Sequence, residues 1–279
     1  MFPALRPYFF EFFDGISDYV SSNVRPGGLG HNETACTEDL LMCLSRDQPP
    51  SYLPYKAAAL CQNITEALAE MELEEAFSFN CTARGFTQNH EGAITQSDYA
   101  IRLRVRDNSS HNPRNTTSSV FFFQAKVRKD SGYDRDVDQE KKIMILRRFI
   151  GQSHLSYSLY NPQNDGGILV ARDPWAQDAR FMYWSDFMAD WVTGSIEDDE
   201  SLGDHGAWLR NALIEVDNTE ANDFIAEKLK TKNKKWTPYV PALIDIGIEL
   251  PAYTLENRPP YLGPQFGSGM FGSNNDDEP

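Results

Sequence analysis

No apolar run in the sequence approaches the roughly 18 residues that a membrane-crossing helix needs, so no membrane partner is expected. The N-terminal stretch Phe2-Pro3-Ala4-Leu5-Arg6-Pro7-Tyr8-Phe9-Phe10 is aromatic, but two prolines interrupt it and acids soon follow. It lacks the long apolar core and small-residue cleavage site of a secretory signal. A cytoplasmic location is therefore the expectation, and the five Asn-x-Ser/Thr sequons, beginning at Asn32, Asn63, Asn80, Asn108 and Asn115, carry little meaning. Cysteine is scarce: Cys36, Cys43, Cys61 and Cys81 form no Cys-x-x-Cys pair, and no histidine lies at ligand spacing. That argues against a zinc site. Cys36 and Cys43 are expected to face the core of one helix. G-x-S-x-G, a Walker-type loop and His-Glu-x-x-His are all missing, as is any internal repeat. Basic residues are the minority, 26 Lys and Arg against 41 Asp and Glu, for a net charge of −15.

That charge is unevenly spread. Between Asp98 and Ile150 twelve Lys and Arg meet seven Asp and Glu, a local net of +5, so the remainder carries −20. A basic island in an acidic chain fits a polyanion site on a self-repelling body, although a solvated strand face gives the same pattern. The island holds the stretch around which the chain is organised, Ser97 to Lys129. Ser97 to Arg106 alternates as a strand, with Asp98, Arg102, Arg104 and Arg106 on one face and Ile101, Leu103 and Val105 on the other. Val120-Phe121-Phe122-Phe123-Gln124-Ala125-Lys126-Val127 alternates too, and the polar residues Asn108 to Ser119 lie between. Paired as a hairpin, these strands bring Asp98 and Gln124-x-Lys126 to one edge of a sheet. A divalent metal can be held there beside a lysine.

Upstream, Phe2 to Val24 has helical spacing, and a further helix is expected from about Asn32 to Ser45. Turning 100° per residue puts Glu33 on the same side as Thr37, Leu40 and Leu44. A carboxylate there must be paired, protonated or metal-bound, unless it serves only the helix dipole. Tyr55 to Glu75 reads as a helix and Phe77 to Arg84 as a strand. Gln139 to Gly151 reads as a helix, and Ser156 to Pro162 and Gly167 to Ala171 as strands. The order predicts an α/β protein with a mixed sheet flanked by helices. All five tryptophans fall beyond Pro174, in a stretch expected to be mostly helical over 173–258. The Gly/Ser/Asn-rich residues 259–279 end in acids and are expected to be disordered.

Asp98, a gap, and a hydrophobic strand ending Phe123-Gln124-Ala125-Lys126 resemble the PD-(D/E)xK nuclease superfamily, most closely the Mrr-like branch with Gln in place of the second acid. Glu33 with Thr37 and Leu40 resembles the glutamate of that fold's first core helix. The resemblance covers about Gly30 to Ala171 and implies a restriction-endonuclease-like domain over 1–172, with a helical lead-in and a helical C-terminal extension. It implies that Asp98, Gln124, Glu33 and the Ala125 carbonyl bind Mg²⁺, with Mn²⁺ able to substitute, and that Lys126 assists the nucleophile. The implied reaction is phosphodiester hydrolysis, with DNA the expected substrate and defence against foreign DNA a fitting setting. Arg102, Arg104, Arg106, Arg128 and Lys129 are the expected phosphate contacts. A homodimer or an activating protein partner is compatible. Gln124 carries no charge, so an inactive module binding nucleic acid or a protein partner stands as the alternative, beside an unrelated α/β scaffold.

Overall fold

The alternating stretches become strands of one mixed sheet, and the helical stretches cover its two faces. The computed structural model describes residues 2–24, 32–45, 57–70, 77–85, 96–107, 116–162, 164, 166–194, 203–214, 219–228 and 242–250, and structural statements concern these. A 3-10 turn, Phe2–Leu5, leads into α1 (Arg6–Ser22), α2 (Glu33–Leu44), α3 (Ala57–Glu70), β1 (Ser78–Gly85), β2 (Tyr99–Asp107) and β3 (Thr116–Val127). Then follow α4 (Val137–Ile150), β4 (Leu155–Tyr160), β5 (Ile168–Ala171), β6 (Phe181–Tyr183), α5 (Trp184–Val192), α6 (Gly203–Ala212), α7 (Thr219–Lys228) and β7 (Ala242–Leu250).

The strand order is β1-β7-β2-β3-β4-β5-β6. β7 lies parallel to β2 and β3 parallel to β4, while the other neighbours are antiparallel. The expected hairpin is there, with Tyr99 opposite Phe123 and Ala100 opposite Phe122. Strand periodicity divides its side chains between two cores. Tyr99, Ile101, Leu103, Phe121, Phe123 and Ala125 pack under α1, α2, α3 and α5. Ala100, Val120 and Phe122 pack with residues of α4, α6 and α7. α1 earns its place by spacing: Phe9, Phe13, Ile16 and Val20 recur at helical intervals and are buried. Its first residue, Arg6, is paired to Asp186 at 2.6 Å and Asp190 at 2.5 Å on α5.

Two expectations need correction. The stretch 173–258 does carry three helices, α5, α6 and α7, but it is no separate extension: Phe181–Tyr183 is an edge strand, and Ala242–Leu250 is an interior strand between β1 and β2. The cause is a period-two pattern, since Ala242, Ile244, Ile246 and Ile248 enter one core and Leu243 the other. A boundary at 172 would therefore cut through a single sheet. Trp184 and Trp191 are core residues, whereas Trp208 is partly exposed. The 259–279 tail, Trp236 and the loop acids Glu197 to Glu200 lie outside the described residues. Cys36 and Cys43 are both buried on α2. Among the described residues no helix is long and apolar enough to cross a membrane.

Candidate functional site

Asp98 stands one residue before β2, where its N–H donates to the Phe123 carbonyl at 2.8 Å. That bond continues the hairpin ladder and sets Asp98 beside Gln124 on β3. The turn delivering it passes through Gln96, whose φ of 52° is left-handed. A non-glycine residue there is uncommon and costs about 1 kcal/mol or more.

The Asp98 carboxylate is half-buried, and its Oδ2 accepts the Ala125 N–H at 2.6 Å and the Gln124 side-chain N–H. Burial pushes its pKa up to about 6. The Ala125 N–H opposes that rise, the charge of Glu33 adds to it, and Lys126 and Gln124 pull it back. Both charged neighbours therefore bear on the same carboxylate.

Lys126 follows Gln124 by two, so both leave β3 on the same face. Its side chain is only 10% exposed, and Nζ lies 3.8 Å from Glu33 Oε1. Glu33 opens α2, whose N-cap Asn32 accepts the Ala35 N–H at 2.9 Å. Its side chain is 37% exposed, more open than its position on the apolar stripe predicts, and it reaches over to the lysine. Asp98, Gln124, Ala125, Lys126 and Glu33 are thus brought together, from β2, β3 and α2.

Among the described residues no three His, Cys, Asp or Glu side chains gather as a metal site. The donor set is nonetheless one that a hard cation accepts. Mg²⁺ prefers oxygen and keeps several waters, so one or two carboxylates and a carbonyl suffice. The Gln124 Nε2 donates to Asp98 Oδ2 and also approaches the Ala125 carbonyl at 3.3 Å. Two oxygen acceptors therefore converge on one position, taken here by the amide nitrogen of Gln124. The residues fit the implied group.

The basic residues fare differently. Asp245 on β7 is 4% exposed and takes both Arg102 and Arg104, the latter at 3.0 Å, while Arg106 lies 3.4 Å from Glu249. The arginine row is held by strand β7. Lys129 is bonded to Asp134, and Arg128 is exposed at the strand end. Arg147, counted in the basic island, is buried and binds the Leu155 carbonyl at 2.9 Å and the Arg172 carbonyl at 2.5 Å. Its pKa is drawn down to about 10 by burial.

Two further residues belong to this edge. Gln139, in the first turn of α4, donates from Nε2 to Gln124 Oε1 at 2.9 Å. Asn161, just after β4, is fully buried; its Oδ1 accepts the Tyr133 hydroxyl, and its Nδ2 has no partner among the described residues. Asp136 and Gln139, spaced as an N-cap and its third residue, were visible signals in the sequence. Asn161 before Pro162 reads only as a turn. No protein-family model, curated protein or solved structure matches the chain.

Proposed function

We propose that the chain is a divalent-metal-dependent nuclease of restriction-endonuclease-like fold, acting on DNA. The observation that carries this reading is the convergence of the Asp98 carboxylate and the Ala125 carbonyl on one position, with Lys126 and Glu33 alongside. Asp98, the Ala125 carbonyl, Gln124 through its amide oxygen, and Glu33 would hold Mg²⁺ or Mn²⁺. Bound there, the ion would polarise the phosphate and lower the pKa of an attacking water. Lys126 places a cation at the same edge, suited to the charge that develops as the phosphodiester is attacked. Its low exposure strengthens that charge by keeping water away. Arg128 and Lys129, exposed where β3 ends, flank the approach for a polyanion. A setting in defence against foreign DNA remains part of the proposal.

A specific observation favours a second reading, an inactive module binding nucleic acid or a protein. The amide nitrogen of Gln124 occupies the position between the oxygens, and the neutral amide adds no negative charge to attract a cation. Incubating plasmid and single-stranded DNA with Mg²⁺ or Mn²⁺ separates the two. Cleavage by the wild type, reduced ~100-fold or more by both Asp98→Ala and Lys126→Ala, is the expected result. Cleavage that survives both substitutions removes this site from the reaction. No cleavage together with salt-sensitive DNA binding favours the inactive module.

A further inference from the structure

Gln139 on α4 reaches across to bond the Gln-x-Lys strand, and it departs from what its position predicts. Asp136 caps α4, its side chain accepting the N–H groups of Asp138 and Gln139, both at 3.0 Å. A Gln at the third helical position usually reaches back to the N-cap N–H. Here it donates instead to Gln124 Oε1 at 2.9 Å, across to β3. Half-buried, it closes a chain running from Gln139 through Gln124 to Asp98.

The chain has a direction. With Gln139 donating, Gln124 keeps its carbonyl oxygen toward α4 and turns its NH₂ between Asp98 and the Ala125 carbonyl. A primary amide donates at one end and accepts at the other. A half-turn of the Gln124 amide would present its oxygen between those two acceptors and its NH₂ to α4. The same half-turn of Gln139 would then supply the acceptor that this NH₂ needs. Only a residue that can both donate and accept supports both arrangements without leaving a polar group unpaired.

We propose that Gln139 is a positioning residue whose amide turns together with that of Gln124, converting the site between a closed, hydrogen-bonded form and one that accepts a divalent cation. The inference rests on the nuclease reading and deepens it: Gln124 is then a gate on cation affinity as well as a ligand. A partner in contact with a ligating side chain typically shifts metal affinity 10- to 100-fold.

The test uses the full chain without DNA. Mn²⁺ binding is measured by electron paramagnetic resonance for wild type, Gln139→Glu and Met144→Glu, each checked for an unchanged melting transition. Glu at 139 only accepts, so it favours Gln124 with its oxygen turned inward and is expected to tighten binding ~10-fold. Met144 lies on the same helix, 59% exposed, so its substitution adds the same charge away from the amides. In isotope-labelled wild type, the side-chain amide resonances of Gln124 and Gln139 are expected to move together on adding Mg²⁺. Gln124→Met and Gln139→Met assign them. The inference is overturned if Met144→Glu tightens binding as much as Gln139→Glu, if Gln139→Glu leaves affinity unchanged, or if the two resonances stay still. A wild type that binds no Mn²⁺ at millimolar concentration overturns the nuclease reading itself, and this inference with it.

Discussion

Asp98 is where the chemistry of single residues is most exposed to measurement. Its folded pKa of about 6 lies above the ordinary carboxylate value of 3.8 because burial disfavours its charge. Between those values the folded chain binds more protons than the unfolded one, so this residue withdraws stability as pH rises from about 4 to about 6. Asn, neutral at every pH, removes that burden. Asp98→Asn should melt above the wild type at pH 8, with the advantage shrinking to nothing only below about pH 4. A constant difference across that range would mean that Asp98 does not titrate as its surroundings dictate. Cation binding runs the other way, because it needs the carboxylate. Mn²⁺ affinity of the wild type should therefore fall as pH drops below about 6. The meeting of Asp98 with Gln124-x-Lys126 was legible from the pairing of two alternating strands, and alternation alone put Gln124 and Lys126 on one face. Gln139 was legible only as the third residue after the N-cap Asp136; its bond to Gln124 was not, because that partner lies across a helix–sheet contact that neither local period records.

At the scale of elements, β7 decides what the arginine row is for. Asp245 neutralises Arg102 and Arg104 from a nearly closed position, so it is a structural clamp between two parallel strands. Asp245→Asn should destabilise the fold by roughly 1–3 kcal/mol. The pair is buried on the acid side only, which keeps the loss below that of a fully buried ion pair. The same substitution should release two guanidiniums and raise the salt-sensitive affinity for DNA, read by filter binding at two salt concentrations. Unchanged stability would show that the arginines hold themselves. The hairpin β2–β3 could be read from sequence because both strands alternate and follow each other in the chain. β7 alternates as plainly, with Ile244, Ile246 and Ile248 on one side and Asp245 and Glu249 on the other. What no local pattern contains is its partner: Arg102 and Asp245 meet from positions 143 residues apart. Phe181–Tyr183 escaped for another reason, since three residues running directly into α5 share the aromatic spacing of that helix.

For the whole molecule the sheet order means that the expected nuclease domain of residues 1–172 cannot be a separable unit. A chain ending at Pro241 lacks the strand between β1 and β2, and should show neither a cooperative thermal transition nor metal-dependent cleavage. Calorimetry on that truncated chain checks this directly, and a sharp transition near the full-length value would contradict the central role of β7. There is a temporal side to the same arrangement. A ribosome releases β1 and β2 long before the strand that joins them, so two neighbouring edges wait with unpaired N–H and C=O groups. Pairing across so many residues is slow because the loop must close before any contact rewards it. During synthesis, then, β1 is a lone strand and β2 an open sheet edge until Ala242–Leu250 arrives to join them, and in that interval both can pair with other nascent chains.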